Sequence, residues 1–222
     1  MPMSAQQHPP QILEIHRDFL KPGSEAEFRQ VEEDAARICR ELKCPHPYVA
    51  LETLAGPREV WWLNGYESEA EVKQVAAAYT ANTPLMAALK RILERKKDLI
   101  LEPVEVFTHY RADLSSGAAW SVSPGRFVVI TRTTSGRKID GTVFVTAESP
   151  LSNSSAPFKV KGDSSDRVRF IVTAAGTRGE ADAKAARAGA ETHLFAVRPY
   201  WSMPAKEWVA ADPEFWREGR GR

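Results

Sequence analysis

The sequence predicts an α+β fold in which helices cover one face of an antiparallel sheet. The phrase Ser-Glu-Ala-Glu occurs at 24–27 and again at 68–71, and each copy follows a strand-like run and opens a helical pattern. A serine that accepts from the third helical N–H, with a glutamate that reaches back to it, is a capping box and marks a helix start. The first half of the chain therefore predicts the order strand, helix, two strands, helix, strand.

The first strand, 12–20, alternates between an apolar face and a polar face. The helix that follows presents an apolar stripe at steps of three and four residues, so we expect it to pack on the apolar face of this strand. Residues 48–54 and 59–66 flank an Ala-Gly-Pro-Arg turn and predict a hairpin. A further helix begins at Thr83, and 99–110 predicts the closing strand. The apolar face of the first strand carries Leu13, Ile15 and Phe19, and the polar face carries Glu14, His16 and Asp18.

This order is that of a ferredoxin-like βαββαβ unit, whose helices leave one sheet face to be covered by something else. With the paired helix starts, the passage EVWWLNGYES at 59–68 resembles the dimeric α/β-barrel superfamily, and within it NIPSNAP-type and antibiotic-biosynthesis-monooxygenase-type domains. The resemblance spans residues 11–112. It implies that two such sheets enclose a space that often holds a ligand, either between two chains or within one. It also implies a homo-oligomer, most simply a dimer.

The first unit is predicted to occupy 11–114, and a second, diverged unit follows it. Serine, glycine and proline cluster at 115–125 and predict a linker. Residues 126–203 show strand patterns before an alanine-rich helix and a last strand. We interpret them as a strand-rich ferredoxin-like unit that has lost its first helix, with a separate β-rich domain as the alternative.

The two ends of the chain predict tails. Residues 1–10 lack the basic segment and apolar core of a signal peptide and predict a disordered tail. Residues 204–222 form an aromatic tail whose Trp208, Phe215 and Trp216 need burial against this chain or a partner.

Composition argues against several classes of function. The 222 residues are 43% hydrophobic and 27% charged, and 30 basic against 29 acidic residues leave a charge of +1. This balance does not favour nucleic acid, and no run reaches the roughly 18 apolar residues of a membrane helix. The two cysteines, Cys39 and Cys44, lack metal-site spacing, so we expect free thiols, a cytoplasmic protein and no metal.

Any chemistry is expected on the polar face of the first sheet, with Trp61 and Leu63 turned towards the helices. Histidines, carboxylates, an amide and aromatic rings on one face suit the binding of a planar or carbonyl-bearing molecule. A histidine there could act as a general base. The candidate catalytic residues are His16, His109 and Asn64, and the candidate substrate-binding residues are Glu14, Asp18, Trp62, Tyr66, Glu105 and Phe107.

Two functions remain open at this point. The resemblance implies a small-molecule-binding barrel, such as a cofactor-independent monooxygenase or an isomerase for an aromatic or enolisable substrate. Haem-binding relatives carry their histidine on a helix, and neither capped helix here contains one, so we expect no cofactor. The alternative is a non-catalytic binding or assembly module with a filled barrel and an aromatic oligomer interface, in which His16 and His109 are hydrogen-bonded structural residues.

Overall fold

The computed structural model describes residues 8–101, 103–116, 126–134, 140–146, 168–188 and 191–217. The predicted linker and N-terminal tail lie largely outside the described residues. The strands are β1 (Ile12–Phe19), β2 (Val49–Thr53), β3 (Glu59–Tyr66), β4 (Val104–Tyr110), β5 (Phe127–Thr133), β6 (Thr142–Thr146), β7 (Arg169–Ala175) and β8 (Thr192–Val197). The helices are α1 (Glu25–Glu41), α2 (Glu69–Ala81), α3 (Thr83–Lys96), α4 (Arg178–Ala188), α5 (Lys206–Ala211) and α6 (Pro213–Arg217).

The eight strands form one closed antiparallel barrel in the order β1-β3-β2-β8-β5-β7-β6-β4. One half, β4-β1-β3-β2, has the predicted ferredoxin-like order, and the other half reads β8-β5-β7-β6. The pairs β2·β8 and β4·β6 join the halves, so the barrel closes within one chain. The division into two units at 114 and 126 stays a prediction.

The barrel interior is apolar and draws side chains from every strand. Leu13, Ile15, Trp61 and Leu63 lie in this interior cluster, so the prediction that they face the helices is wrong. A closed barrel creates an enclosed apolar space between its strands, and that space takes the largest apolar side chains. Its fully buried aromatic residues are Trp61, Phe144, Phe170 and Phe195.

Helices α1 and α3 pack on the outside of the barrel instead. The outer cluster joins Phe28 and Val31 of α1 and Ile92 of α3 to Val60 and Trp62 of β3. The apolar stripe of α1 is thus where the sequence predicts it, but it covers the face of β1 and β3 that carries the polar side chains.

The aromatic C-terminal tail is buried against its own chain. Phe215 and Trp216 are 6% and 2% exposed and belong to the interior cluster, and Trp208 packs against that cluster. Helices α5 and α6 therefore cover one end of the barrel. Among the described residues, no helix combines the length and the apolar character that crossing a bilayer demands.

Cys39 and Cys44 form a disulfide, with their Cα atoms 4.8 Å apart, so the prediction of two free thiols is wrong. After α1 ends, Lys43 adopts a φ of +56°, and the Cys44 N–H donates to the Cys39 carbonyl over 2.8 Å. This turn brings the two side chains together. The prediction of a cytoplasmic location rested partly on free thiols and loses that support.

Candidate functional site

Strand register brings the predicted site residues onto one face of the barrel. His16 lies opposite Trp62 on β3 and opposite Glu105 on β4. The shared face is the outer face beneath α1, α2 and α3, rather than the wall of an enclosed barrel cavity as predicted, since its neighbours within the chain include Phe28 and Lys96. The outer polar patch, as we call it, consists of Glu14, His16, Asp18, Trp62, Asn64, Tyr66, Glu105, Phe107 and His109.

A buried lysine organises one end of the outer polar patch. Lys96 Nζ lies 2.6 Å from Asp18 Oδ2 and 2.8 Å from Glu32 Oε1. Asp18 is 1% exposed and Glu32 is 4% exposed, so a lysine and two carboxylates share a nearly dry space. Burial of isolated charges is costly, and their close pairing offsets that cost.

The charges of Lys96, Asp18 and Glu32 determine which of these three groups hold a proton. Burial opposes ionisation of Asp18, but the Lys96 charge and the hydrogen bond with His16 outweigh it and lower the pKa of Asp18 to about 2. Burial likewise opposes the charge of Lys96, but Asp18 and Glu32 raise the pKa of Lys96 above its usual value. The pKa of Glu32 is raised because burial outweighs the attraction of Lys96. At neutral pH, Asp18 is an anion and Lys96 a cation.

His16 is held between this carboxylate and an aromatic ring. Its Nε2 is 3.0 Å from Asp18 Oδ1, and its side chain is 18% exposed. The imidazole meets Trp62 edge to face, with centroids 5.4 Å apart. On the same indole, Lys96 Nζ lies 4.3 Å from the ring centroid, within range of a cation–π interaction. A carboxylate that orients a histidine is the arrangement of many general bases.

A second carboxyl pair lies beside His16. The Tyr66 hydroxyl donates to Glu14 Oε2 over 2.7 Å. Burial, the Glu14 charge and a hydrogen bond with Glu14 raise the pKa of Glu105 to about 8. The pKa of Tyr66 is also raised, by burial and by Glu14, so its proton stays in place. Glu105 is thus a carboxylic acid that keeps its proton at neutral pH and can donate it.

The outer polar patch is too long for all its members to meet one small molecule. Glu105 and His109 are four residues apart on β4, which separates them by about 13 Å along the strand. His109 lies opposite Ile12, while His16 lies opposite Glu105. The structure therefore brings His16, Asp18, Trp62 and Glu105 together but leaves His109 at the far end.

Sequence reasoning missed Lys96 and Glu32. Each is a charged residue four positions after a buried apolar one, Ile92 on α3 and Phe28 on α1. A residue at that spacing lies on the same face of a helix, so a charge there requires a buried partner. This spacing was the sequence signal from which the two buried charges could have been predicted. Among the described residues, no group of three metal-ligating side chains is suited to hold a metal ion.

Known proteins resemble this chain in fold. No family profile matches the chain, and no curated protein matches it. A NIPSNAP family protein of unknown function from Agrobacterium tumefaciens is 20% identical, over 53% of this chain and 96% of that one, with a TM-score of 0.37. A candidate monooxygenase from Fusobacterium nucleatum is 9% identical, over 88% and 93%, with a TM-score of 0.45.

An anthrone oxidase-like protein is 11% identical, over 85% of this chain and 92% of that one, with a TM-score of 0.45. NIPSNAP and monooxygenase-like proteins are thus among the solved structures to which this chain is similar. At such identities and scores the likeness carries no information on reaction or ligand.

Proposed function

We propose that this protein binds a small aromatic or enolisable molecule at the outer polar patch and moves a proton on it. The observation that carries the proposal is the position of His16 directly opposite Glu105, each beside a carboxylate partner of its own. Residues opposite each other on antiparallel strands have Cβ atoms about 5 Å apart, so both side chains can reach one substrate.

The two groups suit opposite halves of a proton transfer. His16, whose Nε2 lies 3.0 Å from the ionised Asp18, is the group we assign to take a proton from a carbon next to a carbonyl. Glu105 keeps its own proton to about pH 8 and can give it to the carbonyl oxygen, which yields the enol. Reversal with the proton returned to a different atom completes an isomerisation. Paired groups whose environments push their protonation apart are typical of acid–base sites.

Trp62 supports an aromatic or planar substrate, because its ring borders both His16 and Lys96. Proton removal is also the first step by which an electron-rich carbanion could react with dioxygen. The arrangement of His16 and Glu105 supports that first step and does not select between an isomerase and a cofactor-independent monooxygenase.

Hydrogen–deuterium exchange tests the proposal. We expect the protein to accelerate exchange of the benzylic protons of phenylacetone and related aryl ketones in D₂O, followed by NMR. His16→Gln and Glu105→Gln should each lower the catalysed rate by about 10²–10⁴-fold, as general acids and bases do. Glu33→Gln, on the exposed side of α1, is the matched control. Equal rates in all four proteins would contradict the proposal.

The filled interior favours a second candidate, a non-catalytic binding or assembly module. Trp61, Phe144, Phe170 and Phe195 occupy the described part of the barrel interior. The aromatic tail, however, is buried within its own chain, so an oligomer interface would have to use another surface. If this candidate is correct, His16→Gln and Glu105→Gln would alter stability, and the parent protein would catalyse no exchange for them to slow.

A further inference from the structure

A cavity of 290 Å³ opens at the end of the barrel where α5 approaches β2 and β3. Its volume is at the lower limit of small-molecule sites, which span about 300–1,000 Å³. None of its lining residues belongs to the outer polar patch, so it is a separate site. Its apolar surface comes from Leu13, Val49 and Leu63 of the barrel, from three prolines and from Trp208.

The polar groups of this end cavity are hydrogen-bond acceptors. Three glutamates line it, Glu67, Glu71 and Glu207, and none of the described lining residues is a lysine or an arginine. Glu71 Oε2 accepts from the Glu67 N–H over 2.6 Å, and the Glu67 carboxylate lies 3.8 Å from His8 Nδ1. A cluster of carboxylates beside an apolar surface favours a ligand that carries positive charge.

His46 supplies a further acceptor, and it is 7% exposed. Its Nε2 lies 2.9 Å from the Gly65 carbonyl oxygen, and because that oxygen only accepts, Nε2 must be the donor. Burial lowers the pKa of His46, so the ring is neutral and Nδ1 carries a lone pair. Nδ1 has no hydrogen-bond partner among the described residues, while the ring stacks on Tyr66 at 4.4 Å.

We propose that the end cavity binds a small organic cation, an ammonium or amidinium group carried on an apolar or aromatic body. Such a group offers N–H donors to His46 and the glutamates, and its charge complements theirs. The apolar body would lie against Leu63 and the prolines, and Trp208 offers a ring that attracts cations. This proposal goes beyond the proposed function and uses none of the residues assigned to proton transfer.

Benzylamine is the probe that tests it, with benzyl alcohol and benzoate as neutral and anionic counterparts of the same shape. Binding is measured by calorimetry and located by the NMR shift of the Trp208 indole N–H. We expect saturable binding of benzylamine, about tenfold or more weaker binding of benzyl alcohol, and none of benzoate. Equal binding of the amine and the alcohol would overturn the proposal, and so would no saturable binding of benzylamine.

Matched charge reversals locate the site. Glu207→Lys places a cation in the cavity lining and should weaken benzylamine at least about tenfold. Glu214→Lys makes the same change on the exposed side of α6, outside the lining, and should leave the affinity unchanged. Ala205→Trp, which fills part of the cavity, should abolish binding in a folded protein. If Glu207→Lys and Ala205→Trp bind as the parent does, the cation binds elsewhere and the proposal is wrong.

Discussion

Lys96 is the residue on which the buried charges of Asp18 and Glu32 depend. Its ammonium group is shared by Asp18 and Glu32, which sit on β1 and α1. The carboxylates come from two elements and the lysine from a third, so the ion pairs link α1, α3 and the barrel. Without the lysine, two buried carboxylates would face each other with no cation between them.

Lys96→Met should therefore lower the free energy of unfolding by about 3–5 kcal/mol, because removing one partner leaves uncompensated buried charge. Equilibrium unfolding in urea at pH 7 measures the change. Lys97→Met, the next residue, is the control, since Lys97 is exposed and pairs with Glu94 at the surface. If both variants unfold at the same urea concentration, the buried cluster contributes no more than a surface pair.

Glu105 gives the stability a specific dependence on pH. Its pKa is raised from 4.5 to about 8 in the folded protein, so between these values the folded state holds a proton that the unfolded state has lost. The stabilisation is fully present below pH 4.5 and is lost as the pH rises through 8. Relative to Glu105→Gln, the parent should lose up to about 1.4 kcal/mol per pH unit in this window.

Urea unfolding of the parent and of Glu105→Gln at pH 5, 6.5 and 8 checks this sign. Titrating groups that do not interact with Glu105 contribute equally to both proteins, so the difference between them reports on the Glu105–Glu14 carboxyl pair. Glu33→Gln, which removes an exposed carboxylate on α1, is the control variant. A flat difference for Glu105→Gln would mean that Glu105 ionises as an exposed carboxylate does.

At the scale of single elements, the two Ser-Glu-Ala-Glu phrases have different roles. Ser68 accepts from the Glu71 N–H over 3.2 Å and caps α2 as predicted, although Glu71 reaches the Glu67 N–H rather than the serine's own. Ser24 makes no side-chain cap bond to α1. Its hydroxyl lies 2.7 Å from the Lys21 carbonyl and 2.8 Å from the Leu99 carbonyl, so it joins the start of α1 to the chain after α3.

Aspartate substitutions separate these roles. Ser68→Asp should change the free energy of unfolding by less than about 0.5 kcal/mol, because aspartate caps a helix as well as serine does. Ser24→Asp places a carboxylate against two carbonyl oxygens that only accept, and should cost about 1–3 kcal/mol. Thermal and urea unfolding of both variants measure the contrast. Two equal, small changes would show that Ser24 acts as an ordinary cap.

The sequence predicted where the helices and strands occur, but it did not predict which faces of the strands point into the barrel. The starts of α2 and α3 and the hairpin of β2 and β3 follow from a cap, a proline and a turn, which act locally. The orientation of the two faces of β1 does not follow from local signals, because a barrel strand that is covered by helices is buried on both sides. Alternation grouped Glu14, His16 and Asp18 correctly on one face, but it could not tell an interior wall from a helix-covered one. The contacts that α1 and α3 make with β1 could not be predicted in this way, because they join residues that are far apart in the sequence.

At the scale of the whole molecule, the barrel needs no second chain to close. The join between β2 and β8 pairs Leu51 with Val197, and the join between β4 and β6 pairs Tyr110 with Phe144. Side chains from both halves then meet in the interior cluster, and the aromatic tail covers one end. The two halves thus share one core, and we expect them to unfold together.

Closure within the chain predicts that folding does not depend on protein concentration. The urea midpoint should stay constant over about a hundredfold change in concentration, because an obligate dimer gains stability by mass action and a self-contained barrel does not. A dimer remains a prediction of the family resemblance, and light scattering reports it independently. A midpoint that rises with concentration would mean that a partner surface completes the fold. Coincident loss of the near-UV signal of the barrel tryptophans and of the far-UV signal would identify one cooperative unit.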